Sequence, residues 1–212
     1  MPTRETTTPK DKREVILTAA FSLFGHYGYR RTSIDDIAQE AGIAKGTVYL
    51  YFKSKDEIFR ALSQQLIDQM LATTETAQTA TTSIAEQLRD MLDAKFGYFF
   101  ELLHRSAHVR EILDAKNQLC TDLFAQADRR YQRMLAGTIA EAEKRRELNL
   151  ARVGLEPEAA AELLTRSASG LGTYGTTAPT LPAFRRHLDA LVRVFVVGLG
   201  GRSTGEGETG KR

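Results

Sequence analysis

Cysteine is almost missing from this 212-residue chain. The single Cys120 excludes an internal disulfide framework and cannot by itself build a thiolate metal site. A cytoplasmic setting is therefore the expectation. Long apolar runs are missing as well. Residues 194–197 (VFVV) make a run of four, against the roughly 18 that span a bilayer. The leading MPTRETTTPKDKRE has no apolar stretch, so no secretory signal and no membrane contact are expected. Charge of one sign is scarce too: 29 basic and 27 acidic side chains leave +2. Any affinity for nucleic acid must then come from local placement of charge. There is no glycine-rich phosphate loop, nucleophile elbow or paired histidine–carboxylate signature. No enzymatic activity, no catalytic residue, no metal and no cofactor is expected.

What is present is helical periodicity. Residues 1–10 are polar and read as a disordered arm, and residues 200–212 are glycine-rich and read as a flexible tail. Between them, Ile16, Ala20, Leu23, Phe24 and Tyr27 mark a first helix, closed by Gly25 or Gly28. Ile34, Ile37, Ala38 and Ala41 follow the i, i+3, i+4, i+7 pattern, and Gly42 ends that helix as a left-handed residue would. A short helix over about 45–51 comes next. Ser54 and Glu57 form a capping box that opens a fourth helix, with Phe59, Leu62, Leu66 and Met70 on one face. The threonine-rich segment 71–82 reads as a join. A second box, Ser83 and Glu86, opens a helix whose stripe is Ile84, Leu88, Met91, Leu92, Phe96, Phe99, Phe100 and Leu103. Further helices are expected over about 107–115, from Leu119 to beyond Ile139, from Pro157 to Gly170 or Gly172, and, after a loop with Pro179 and Pro182, from Phe184 onward. The segment 192–199 has a strand-like composition, yet no partner strand exists, so it reads as helix. The fold class is all-α, with about nine helices.

Function concentrates around Gly42. Two short helices joined by Gly42-Ile43-Ala44 make a helix-turn-helix. The second helix must enter a major groove about 12 Å wide, leading with its N-terminal residues. Lys45, Gly46 and Thr47 supply small or polar groups there, and Val48 and Phe52 supply inward anchors. Tyr49 and Tyr51 can send hydroxyls to phosphates. No acid lies between Glu40 and Asp56, so Lys45, Lys53 and Lys55 give a local charge of +3.

Residues 12–67, above all YRRTSIDDIAQEAGIAKGTVYLYFKSKDEIFRAL, resemble the N-terminal domain of the tetracycline-repressor (TetR) family of bacterial transcriptional regulators. The residues that carry this are Thr32-Ser33, Ile37-Ala38, Ala41-Gly42, Lys45-Gly46-Thr47-Val48-Tyr49-Leu50-Tyr51-Phe52 and Lys53-Ser54-Lys55. The resemblance covers about a quarter of the chain. It implies a DNA-binding head over 11–55 and a ligand-binding, dimerising domain over 56–199. It also implies that Lys45, Gly46, Thr47 and Leu50 face bases, while Thr32, Ser33, Tyr49, Tyr51 and Lys55 hold phosphates. One position departs from the family's form. Ala44 stands where many members have a capping serine, and a lost cap costs about 1 kcal/mol.

The same resemblance implies a homodimeric repressor on a palindromic double-stranded operator, released by a small-molecule effector of unknown identity. Its pocket candidates are Phe96, Phe99, Phe100, Leu103, His104, Tyr131 and Met134, since pockets tend to be apolar and aromatic. Small residues between Ala159 and Gly170 permit close helix approach, and an apolar stripe follows Phe184. The interface candidates are therefore Leu164, Ala168, Leu171, Phe184, Leu188, Leu191 and Phe195. Two alternatives stay open. His104 and His108 stand i, i+4 and with Cys120 could make a metal or redox sensor, although a solvated histidine pair and a buried thiol explain them more simply. The chain could also be a helical binding protein that has lost DNA readout.

Overall fold

The computed structural model describes residues 9–80, 82–104, 108–172 and 180–201, apart from the side chains of 9–11, 102–104 and 109–110. Most of the expected arm and tail lies outside these residues, although the first helix already begins at Pro9. All regular structure among the described residues is helical. Contacts divide the chain into two compact units, Met1–Ile67 with Leu103–Phe124, and Asp68–Leu102 with Ala125–Arg212. The first unit thus takes in more than the expected 11–55 segment, including a stretch far downstream in sequence.

In the first unit, α1 (Pro9–Tyr27), α2 (Ile34–Glu40), α3 (Lys45–Tyr51) and the start of α4 (Lys55–Thr79) surround one core. Ile16, Ala20, Phe24, Ile37, Val48, Phe52 and Ile58 are buried there. Phe24, Tyr29 and Phe59 meet with ring centroids 5.1–5.8 Å apart, within the favourable range for tilted aromatic pairs. The downstream helix α7 (Val109–Leu119) joins this core through Ile112, Ala115 and Leu119, followed by Cys120. Leu119 ends α7, so it does not open the next helix as its periodicity suggests; the break falls at Cys120.

Two local expectations need correction. The threonine-rich segment does not end α4, which continues to Thr79. The Thr73, Thr74, Thr76 and Thr79 hydroxyls donate to the carbonyls four residues earlier. Their competing hydrogen-bond capacity is absorbed inside the helix. The Ser54 box is half formed: Ser54 Oγ accepts from the Glu57 N–H at 3.1 Å, but Glu57 accepts from the Lys53 N–H instead of that of Ser54.

In the second unit, α5 (Ile84–Leu92) passes through a π-helical run (Asp93–Gly97) into α6 (Tyr98–His104). The Ser83–Glu86 capping box is complete. Periodicity does not reveal the π-helical run, because it adds one residue without breaking the helix. Gly97 leaves room where a Cβ would strike the Asp93 carboxylate. The remaining elements are α8 (Thr121–Lys144), a 3₁₀ turn (Leu150–Arg152), α9 (Pro157–Gly170) and α10 (Leu181–Gly198). α10 packs against α5, the π-helical run and α9. Pro182 sits in the first turn of α10, where its missing N–H is harmless, and not in the preceding loop. The strand-like segment after Val192 is helical to Gly198.

Candidate nucleic-acid interface

The turn between α2 and α3 is built by its glycine. Gly42 adopts φ +64°. Its N–H donates to Gln39, and the Ile43 N–H donates to Ala38 at 3.0 Å. This pair of bonds is a Schellman closure, and a glycine is favoured at its left-handed position. α3 then starts from Ala44, and no side chain among the described residues caps it. Val48 and Phe52 are buried at 0% and 2% exposure. They fix the inner face of α3, so Lys45, Gly46, Tyr49 and Leu50 point outward. Thr47 and Tyr51 are half-buried at the flanks.

Charge at this surface differs from the sequence estimate. Lys45 Nζ lies 2.8 Å from Asp35 on α2, with both side chains exposed. Asp35 holds that ammonium above its ordinary pKa. Exposed pairs of this kind are weak, so a phosphate can compete for the lysine. Arg30 and Arg31, just before α2, are exposed and add cations that the Lys45–Lys55 count omits.

Thr32, Ser33 and Lys55 are placed as scaffold. Thr32 is buried, and its hydroxyl donates to the Gly28 carbonyl at 2.8 Å, turned into the fold. Ser33 is the N-cap of α2 in a capping box with Asp36. Its hydroxyl donates to the Asp36 carboxylate, which is thereby held below the usual carboxylate range. Lys55 is half-buried over the Tyr29 ring, and its ammonium donates to the Tyr29 and Thr32 carbonyls at 2.8 Å each. The head needs a cation here because the turn leading into α2 presents several carbonyls to one point.

Sequence spacing sets Glu111 near His104 and His108 and does not connect it to the head. From α7 its carboxylate accepts the Arg30 N–H, and it fills the space beside Gly28 that a Cβ would occupy. Gly28 itself sits at φ +87°. Nearby, Arg60 grips the Asp122 carboxylate with two nitrogens at 2.8 Å and also donates to the Leu119 carbonyl. No local signal could have revealed these pairs, since each joins residues 59–81 positions apart. The Ser33–Asp36 box, by contrast, is local, and an S-x-x-D start signal would have found it.

In the second unit, Phe100 is buried and stacks on Phe184, with centroids 4.7 Å apart. Tyr131 is fully buried and donates to the Met91 carbonyl at 3.1 Å. Phe96, Phe99 and Met134 are half-buried. The side chains of Leu103 and His104 lie outside the described residues. Among the interface candidates, Leu164, Ala168, Phe184 and Leu188 are core residues, at most 2% exposed. Leu171, Leu191 and Phe195 are half-buried. The large apolar side chains that α9 and α10 turn outward are Leu163 (51%), Val194 (73%) and Val197 (54%). Four of the seven candidates thus face the core and three stand at its edge, with the most exposed apolar side chains at neighbouring positions.

Cys120 is buried 3.5 Å from the Ser63 hydroxyl, and burial pushes its thiol pKa up. That is opposite to what a reactive sensor thiol needs. His108 precedes α7 as its N-cap residue. No group of three metal-binding side chains occurs among the described residues, and no described helix is long and apolar enough to cross a membrane.

Comparison with known proteins agrees with this geometry. The sequence profile of bacterial regulatory proteins of the tetR family matches residues 16–62. The chain is 32% identical over 140 residues to the HTH-type transcriptional regulator YfiR of Bacillus subtilis (strain 168), covering 59% of this chain and 68% of that protein. It is 29% identical over 126 residues to the HTH-type transcriptional activator FasR of Mycolicibacterium smegmatis, covering 54% of this chain and 58% of that protein. In structure it resembles SmeT, the repressor of the Stenotrophomonas maltophilia multidrug efflux pump SmeDEF. That TM-score is 0.64 at 22% identity, covering 87% of this chain and 88% of that one. With a capped α2, a glycine-closed turn and an outward-facing α3, the chain belongs to the TetR family of bacterial regulatory proteins and is a DNA-binding transcriptional regulator.

Proposed function

We propose that this regulator is a cytoplasmic, homodimeric repressor that binds a palindromic operator and leaves it when a small molecule occupies the second unit. The observation that carries the DNA half is the outward face of α3, held in place by buried Val48 and Phe52. Lys45, Gly46, Thr47 and Leu50 lie at the bases, and Tyr49 and Tyr51 at the flanking phosphates. Arg30 and Arg31 add backbone contacts in place of Thr32 and Lys55. The apolar outer faces of α9 and α10, with Leu163, Val194 and Val197, supply the dimer contact. Two heads about 35 Å apart then read two half-sites. Phe96, Phe99, Phe100 and Met134 supply aromatic and apolar surface for the effector.

An effector that binds the DNA-free state better shifts the population toward it, and DNA must weaken effector binding by the same factor, typically about 1–3 kcal/mol. A mobility-shift assay on the DNA upstream of the protein's own gene, at stated salt, tests the reading. Tyr49→Ala should abolish the shift. A promoter fusion that rises when the gene is deleted supports repression. One that falls makes the protein an activator, as FasR is named.

A further inference from the structure

α3 is short of the side chains that read bases by hydrogen bonds. Its seven residues, KGTVYLY, contain no arginine, asparagine, glutamine, aspartate, glutamate or histidine. Those types supply most of the direct donor and acceptor contacts to guanine, adenine and cytosine edges. Lys45 is the one charged member, and it is shared with Asp35. Within α3, Gly46, Tyr49 and Leu50 stand at i, i+3 and i+4, which puts them on one face. Leu50 lies on that face at 83% exposure, above every other large hydrophobic side chain described. Beside it, a Cβ built on Gly46 would meet nothing within 4 Å, so a groove wall can come close. The apolar feature that a base pair offers in the major groove is the C5 methyl of thymine.

We infer that Leu50 selects thymine through its C5 methyl, a contact that follows the hydrocarbon and ignores the donor–acceptor pattern of the pair. The inference rests on α3 being the reading helix. It has a chemical consequence that a hydrogen-bonded readout would not have. 5-Methylcytosine carries its methyl at the same ring position, so the site covered by Leu50 accepts thymine and 5-methylcytosine while discriminating against uracil and cytosine.

The test enriches duplexes from a random library with the full-length protein. Each thymine of the best duplex is then replaced singly by uracil, by cytosine paired with guanine, or by 5-methylcytosine paired with guanine. Losing one buried methyl should weaken binding about fourfold per half-site. Uracil and cytosine should cause that loss at one thymine per half-site, and 5-methylcytosine should restore affinity. In Leu50→Ala the same position should become indifferent to the methyl, with the thermal midpoint unchanged because Leu50 is exposed. A duplex that tolerates uracil at every thymine, or a uracil-sensitive position that stays sensitive in Leu50→Ala, overturns the Leu50 assignment alone. Failure to enrich any duplex overturns the reading of α3 and this inference with it.

Discussion

Replacing Lys55 by methionine separates two roles for that lysine. The substitution keeps the apolar stem and removes the ammonium. Two bonds of 2.8 Å to the Tyr29 and Thr32 carbonyls are lost, with the cation over the Tyr29 ring. A bond to a charged donor contributes about 1.5–3 kcal/mol when buried. Lys55 is partly exposed and some of its carbonyls regain water, so about 2 kcal/mol in total is the reasonable size. For a chain of this length that lowers the melting midpoint by roughly 4–8 °C. DNA affinity should fall with it, because the loosened turn leads straight into the Ser33 cap of α2. The dependence of log Kobs on log salt should keep its slope, since no phosphate contact is removed. Thermal melting and binding isotherms at several salt concentrations measure both quantities. If Lys55 held a phosphate in each of two heads, the slope would fall by about 1.8. A slope change of that size with an unmoved melting midpoint would refute the scaffold role and restore the phosphate role.

Three further outcomes follow from the geometry. Gly28→Ala should destabilise the head by at least about 1–2 kcal/mol, because φ is +87° there and the new methyl meets the Glu111 carboxylate. Glu111→Ala in the same background should recover part of the loss, which a double-mutant cycle in urea would measure. Arg60 holds the Asp122 carboxyl at about 2, below its ordinary value. A carboxylate depressed on folding stabilises above its ordinary pKa and loses that effect as pH falls through the folded value. The melting difference between wild type and Asp122→Asn should therefore be present at pH 6 and shrink between about pH 4 and 2; a gap that widens on acidification would contradict the pairing. Val194→Glu should give a folded monomer by sedimentation velocity, and an unaltered dimer would move the interface off the outer face of α10.

Much of the molecule was written locally. Apolar spacing marked most of the helices, Gly42 marked the end of α2, and the Ser83–Glu86 box marked the start of α5. Each depends on residues within a turn or two of one another, so a single chain carries the whole signal. The face of α3 was legible for the same reason: Val48 and Phe52, four residues apart, must share a side, and Lys45, Gly46 and Leu50 are left on the other. Tertiary structure decided what a residue type cannot. Thr32, Ser33 and Lys55 have the right chemistry for phosphate, yet the turn beside them presents a carbonyl, a helix end and a cluster of carbonyls that claim them first. Glu111 and Asp122 join the head only because the chain returns to it some eighty and sixty residues later. Leu164 and Leu163 are chemically identical neighbours, one in the core and one facing out. Which is which depends on how α9 is rotated against α10, a quantity set by packing and absent from the order of the residues.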